Sequence, residues 1–222
     1  MTNPGGVRAV IFDMDGVLVD SEPFWVEAEQ AAFARVGLDL RPEDMANTIG
    51  LRIEEVARYW YRRRPWEGPA PEEVALDVLE RVVELVRERG RPMPGARRAL
   101  DLCASRGLPM AVASSSPGRL IRVVLAHLEL DGFFVAAVSA EDESHGKPHP
   151  AVFLTAASRL GVEPQGCLVI EDSINGVIAA KAARMKCLAV PDPRQRDDPR
   201  LVLADEVLGS LEDLDDAVFS RW

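Results

Sequence analysis

The chain has 222 residues, 47% of them hydrophobic, enough for one full core plus an insertion or a small second domain. Its formal net charge of −10 argues against a nucleic-acid binder, which would need a basic face to neutralise phosphates. No apolar run of about 18 residues and no basic-then-apolar leader in "MTNPGGVRAV" is found, so a cytoplasmic protein without a membrane partner is expected.

The first predicted element is a buried strand, "VRAVIF" (Val7 to Phe12), which runs straight into two acids, Asp13 and Asp15. From Ser21 to Gly90 the pattern is helical throughout. It comprises "EPFWVEAEQAAFARVG" and, further on, "PEEVALDVLERVVELVRERG", with Val74, Val78, Val82, Leu85 and Val86 on one stripe. "GRPMPG" (Gly90 to Gly95) reads as a linker stiffened by proline. Beyond it, apolar runs at Leu108 to Ala113, Phe133 to Val138, Cys167 to Ile170 and Lys186 to Val190 alternate with amphipathic helices. Cys103, Cys167 and Cys187 are scattered and lack CxxC spacing, so reduced core cysteines are expected rather than disulfides or a zinc site. The alternation predicts an α/β protein with a Rossmann-like parallel sheet and a helical insertion after the first strand.

Ligands of such sheets bind outside the carboxyl ends of the strands, where the strand order reverses. Asp13 and Asp15 follow the first predicted strand, and Ser114, Ser115 and Ser116 the second. Lys147 lies beyond the third, within "SAEDESHGKPHP", and Glu171 and Asp172 follow the fourth. Singly, each has an ordinary account: a DxD turn, serine helix caps, a surface lysine, acids complementing a helix dipole. Four such groups on one rim are a much rarer coincidence. Two carboxylates at 4 Å oppose each other by roughly 4 kcal/mol at an effective dielectric near 20, so converging acids require a cation. Oxygen ligands without His or Cys suit a hard ion, and few protein ligands with room for water favour Mg2+, with Mn2+ or Co2+ as substitutes. The lysine and hydroxyls would then hold a phosphate. On this reading Asp13 attacks phosphorus. Asp15, two residues on, protonates the leaving oxygen and afterwards activates water, while Gly16 lets the backbone turn close to the phosphate.

"DMDGVLVDSE", "VASSS", "GKPHP" and "VIEDSINGV" resemble the four motifs of the haloacid dehalogenase superfamily, in order and over nearly the whole chain. The resemblance implies a core of residues 1–20 and 91–222 with a small helical cap of the C1 type at 21–90. It makes Asp13 the nucleophile and a metal ligand, with Asp15 adding its backbone carbonyl and Asp172 ligating directly. Glu171 would act through water, and Ser114, the Ser115 N–H and Lys147 would bind phosphate. The segments "GLRIEEVARYWYRRRPWEGP" and "AARMKCLAVPDPRQRDDPRLVLAD" resemble bacterial sugar-phosphate phosphatases of the 2-deoxyglucose-6-phosphate and hexitol types. The expected partner is therefore a small phosphate monoester, acted on by a monomer.

The competing member of the superfamily is β-phosphoglucomutase. It carries a histidine where this chain has Trp25 and an arginine where it has Ile53, beside Arg52. Hydrolysis is accordingly expected, with Ser21, Glu22, Trp25, Arg52 and Asn175 near the sugar. A phospho-receiver signalling module would also use acids, magnesium and a lysine, but at about half this length and without the DxD acid/base or the cap. Trp60 and Trp66 are read as staples of the cap's core, "RRR" (Arg62 to Arg64) as a solvated helix end, and His145 and His149 as loop residues.

Overall fold

A computed structural model describes residues 6–219 and 221–222. Residues 1–5 and 220, which the expected core boundaries include, lie outside the described part. Six parallel strands form one sheet: β1 (Ala9–Phe12), β2 (Met110–Ser114), β3 (Ala136–Ser139), β4 (Cys167–Glu171), β5 (Lys186–Ala189) and β6 (Glu206–Val207), in the order β3-β2-β1-β4-β5-β6. β1, β2 and β4 are buried along their whole length, which is why they read as unbroken apolar runs rather than alternating ones. The chain leaves β1 toward β2 on one side and β4 on the other. The carboxyl end of β1 is thus the switch point, a rule stated for this strand order in dinucleotide-binding folds.

Between β1 and the return to the sheet come α1 (Glu22–Arg35), a 3-10 turn (Pro42–Asn47), α2 (Ile53–Arg63) and α3 (Pro71–Arg89). α3 opens on a proline with Glu72 and Glu73 in its first turn and ends on Arg87 and Arg89, charges that complement the helix dipole at both ends. All five residues of the predicted stripe are buried, against α1 and α2. Trp66 meets Phe33 and Tyr61 edge to face, with ring centroids 6.0 and 4.8 Å apart, and Trp60 is buried, so both tryptophans do staple this helical layer. Leaving and returning strands of the chain lie side by side. The Asp20 N–H donates to Arg91 O (2.9 Å) and the Met93 N–H to Leu18 O (3.0 Å).

α4 (Ala96–Ser105), α5 (Gly118–His127), α6 (Ala151–Leu160) and α7 (Ile174–Ala182) alternate with the remaining strands, and a short α8 (Asp216–Phe219) follows β6. One apolar cluster joins a face of the sheet (Val10, Phe12, Val112, Leu168) to the inserted helices through Val17, Leu18 and Val19. The opposite face packs Ile11, Ala113 and Val169 on Phe153, Ala156 and Val177. The third strand begins at Ala136 rather than Phe133, because Asp131–Phe133 forms a 3-10 turn. No helix among the described residues is long and apolar enough to cross a membrane.

Candidate active site

Parallel register sets the acids. Phe12 lies opposite Ile170 on β4, and the Asp13 N–H continues the ladder to Ile170 O at 2.9 Å, so Asp13 leaves the sheet beside Glu171. Carboxylate oxygens of Asp13, Glu171 and Asp172 come within 4.8 Å of one another, all buried. Lys147, 1% exposed, donates to Asp13 Oδ1 at 2.8 Å and to Glu171 Oε1. Glu171 Oε2 accepts from the N–H groups of Asp172 and Ser173 (both 2.9 Å) and from Ser173 Oγ (3.0 Å). Both oxygens of Glu171 are therefore engaged in holding Lys147 and the start of α7.

Two glycines make room for these carboxylates. Gly16 sits at φ +70°, where a Cβ would clash with Asp172 Oδ2 at 2.1 Å, and a Cβ on Gly176 would fall 1.8 Å from Glu171 Oε1. Asp172 Oδ2 is buried without a hydrogen-bond partner. Burial first, then the neighbouring carboxylates, raise the Asp172 pKa well above the ordinary range. Burial and the neighbouring Glu171 and Asp15 raise Asp13 to about 8 against the opposing pull of Lys147. For Lys147, burial pulls downward, but the carboxylates of Asp13 and Glu171 outweigh it and the net direction is up. An all-oxygen cluster with an orphaned carboxylate oxygen and one lysine among several acids fits a hard divalent cation, which would reverse the acids' pKa shifts.

Asp15 is held by four hydroxyl or indole donors. Its Oδ1 accepts from Ser21 Oγ (2.6 Å) and Trp25 Nε1 (2.9 Å); its Oδ2 accepts from Ser116 Oγ (2.7 Å) and, more weakly, from Ser114 Oγ (3.5 Å). Ser114 Oγ also accepts from the Ser116 N–H (3.0 Å), and Ser115 Oγ donates to Gly50 O (2.7 Å), so the serine triplet at the end of β2 touches both Asp15 and the inserted segment. Asp13, Asp15, Ser114, Ser115 and Asp172 face one cavity, whose other wall is Glu22, Trp25 and Glu29 of α1 with Thr48 and Ile49.

Two of the residues expected near a sugar are placed elsewhere. The Arg52 guanidinium donates to the carbonyls of Ala140 (3.2 Å) and Glu143 (3.1 Å) and to Glu55 (2.5 Å), away from the cavity wall. Asn175 Nδ2 donates to Ile49 O (2.9 Å), beside the cavity rather than into it. Both tie the inserted helices to the rim of the sheet. Ser21 is engaged with Asp15, while Glu22 and Trp25 do line the cavity. His145 and His149 stack on each other in their loop, ring centroids 5.0 Å apart.

Arg194 and Glu29 are absent from the site expected of the sequence, and Ser116 has no assigned role in it. Arg194 follows β5 and pairs with Glu22 Oε2 and with Asp192 Oδ1 (2.8 Å). Burial raises Glu22 to about 7 despite Arg194, and raises Glu29 to about 8, with the Glu22 charge adding to the effect and Arg194 opposing it. For Glu29 the folded pKa of about 8 exceeds the 4.5 of the unfolded chain, so the folded state holds a proton that the unfolded state has released. Stability is then full below about pH 4.5 and declines as pH rises toward 8. Glu29→Gln should remove this decline. Its melting temperature should exceed that of the wild type by more at pH 8 than at pH 5, by the equivalent of a few kcal/mol at most. Parallel melting curves across this range would contradict the assignment.

A parallel sheet with paired acids at its switch point, a buried lysine and hydroxyls around one cavity defines a phosphoryl-transfer protein. Residues 7–184 match the haloacid dehalogenase-like hydrolases, and the chain belongs to that family. It is 46% identical over 215 residues to hexitol phosphatase B of Escherichia coli (strain K12), across 96% of this chain and 97% of that protein. It is 32% identical over 226 residues to (DL)-glycerol-3-phosphatase 2 of Arabidopsis thaliana, across 96% and 94%. The crystal structure of CbbY from Rhodobacter sphaeroides in complex with phosphate shares the fold, with a TM-score of 0.88 at 23% identity over 97% of this chain and 100% of that one. The chain is a phosphatase of this family.

Proposed function

We propose that the chain is a Mg2+-dependent phosphomonoesterase for small polyol and sugar phosphates of the hexitol or hexose 6-phosphate type, working through an aspartyl phosphate on Asp13. The observation that carries this is the cavity with Asp13, Asp15 and Asp172 on one side and the polar side chains of α1 on the other. Full-length similarity to hexitol phosphatase B supports the substrate class. Residues 21–90 act as a cap over the core of 1–20 and 91–222, its two connections running side by side at Asp20 and Arg91.

Asp13, Asp172 and the Asp15 backbone carbonyl would hold the cation, with Glu171 behind them. Bound there, Mg2+ supplies the positive charge that lets a phosphate dianion approach the acids. Asp13 attacks phosphorus as the bond to the alkoxide breaks, and Asp15 delivers its proton to that oxygen. Asp15 then takes a proton from water, whose oxygen displaces Asp13 and releases inorganic phosphate. Ser21, Trp25 and Ser116 hold Asp15 for both transfers. Lys147 keeps one Asp13 oxygen turned away, and Ser114 with the Ser115 N–H and Gly16 receives the phosphoryl oxygens. A mutase must grip a second phosphate. Arg52 is occupied by backbone carbonyls, and Arg194 by Glu22 and Asp192, which favours water as acceptor.

The test is phosphate release from hexitol 6-phosphates, hexose 6-phosphates and β-glucose 1-phosphate with a trace of the 1,6-bisphosphate. Release should stop in EDTA and return with Mg2+. Full turnover in chelator would remove the metal site from the proposal. Glucose 6-phosphate forming faster than free phosphate would reassign the chain as a mutase.

A further inference from the structure

Glu29 lies on the same face of α1 as Glu22 and Trp25, at spacings of seven and four residues, and lines the cavity with them. Trp25 reaches Asp15 with its indole N–H, whereas Glu29 stands one turn further along, roughly 6 Å by helical rise and away from the reacting acids. It is 8% exposed, and its Oε2 is buried with no hydrogen-bond partner. A buried carboxyl oxygen left unpaired destabilises the fold, and an apolar residue here would not. Other polar groups of that wall are already used: Thr48 Oγ1 donates to Met45 O (2.8 Å), and Arg194 serves Glu22 and Asp192. On the α1 side of the cavity, among the described residues, the buried side-chain oxygen left without a partner is Glu29 Oε2.

We infer that Glu29 is a specificity-determining residue, hydrogen-bonded to the hydroxyls at the end of the substrate furthest from the phosphate. This rests on the phosphatase reading above and adds which part of the substrate is read, and by what. Either protonation state serves: a carboxylate accepts from two hydroxyls, and a carboxylic acid accepts from one and donates to another. A substrate lacking those hydroxyls leaves Glu29 unpaired, and a buried polar group left unpaired discriminates strongly. A second phosphate at that end would instead meet Glu22 and Glu29 together, two acids that oppose its charge.

The experiment measures kcat and KM for the wild type, Glu29→Gln and Glu29→Leu on three esters: sorbitol 6-phosphate, its 1-deoxy analogue and glycerol 3-phosphate. In the wild type, removing the far hydroxyl should raise KM. In Glu29→Leu the ratio of kcat/KM for sorbitol 6-phosphate over glycerol 3-phosphate should fall about 10- to 100-fold, chiefly through KM, and the penalty for the 1-deoxy analogue should vanish. Glu29→Gln, which keeps an acceptor and a donor, should fall between the two. Melting curves on each variant separate misfolding from lost recognition. A proportional loss on all three esters, or an unchanged ratio, overturns the inference and leaves the phosphatase reading standing. A wild type that releases phosphate from none of them overturns both.

Discussion

Asp13→Asn should lower phosphate release by about 10^4-fold or more while leaving the fold intact. The substituted amide has almost the shape of the carboxylate, and the residue sits at the end of a fully buried strand, its N–H fixed to Ile170 O, so its position does not depend on its charge. Its oxygen can still accept from Lys147, but the amide cannot form the acyl phosphate. Stability should not suffer, because burial and the flanking acids raise the Asp13 pKa to about 8 even beside Lys147, which marks the carboxylate as a costly charge when no metal ion offsets it, and Lys147 keeps Glu171 as its partner in the variant. The measurement is phosphate release alongside a thermal melt in EDTA. An unfolded variant would leave the lost activity without meaning, and a folded one retaining a tenth of the wild-type rate would require a different nucleophile.

The sequence carried the sheet because burial on both faces writes itself as continuous apolar runs at β1, β2 and β4. β6, two residues long, leaves no such trace, and α8 spans only one turn. At the site, the polar residues at or beyond the carboxyl ends of the first four strands include Asp13, Asp15, Ser114, Lys147, Glu171 and Asp172. The same rule extended to the fifth strand finds Asp192 and Arg194 in "VPDPRQR". Glu29 had a signal too, an acid seven residues after Glu22 on a helix face otherwise given to burial. Arg52 had none. Nothing in "GLRIEE" says that its guanidinium would turn to the carbonyls of Ala140 and Glu143, about ninety residues away, because side-chain direction at a helix start is set by the element it meets.

Lys147 is the cation paired with both Asp13 and Glu171 in a chain whose net charge is −10. Lys147→Met preserves length and packing against Phe153, whose ring centroid lies 4.9 Å from the ammonium, but removes the charge. Asp13 and Glu171 then remain buried without it, and breaking such a pair costs about 3–5 kcal/mol. A correspondingly large drop in melting temperature in EDTA is expected, along with activity at least about 100-fold down, because an Asp13 oxygen loses the group that orients it. Mg2+ should restore part of the stability, since any cation among the acids relieves their repulsion, but little of the activity. Lys147→Arg should not rescue either property. The guanidinium is broader than the ammonium it would replace, and the site is 1% exposed. If Lys147→Met in Mg2+ melted and turned over like the wild type, the lysine would be a bystander, and the positive charge facing the phosphate would have to come entirely from the metal.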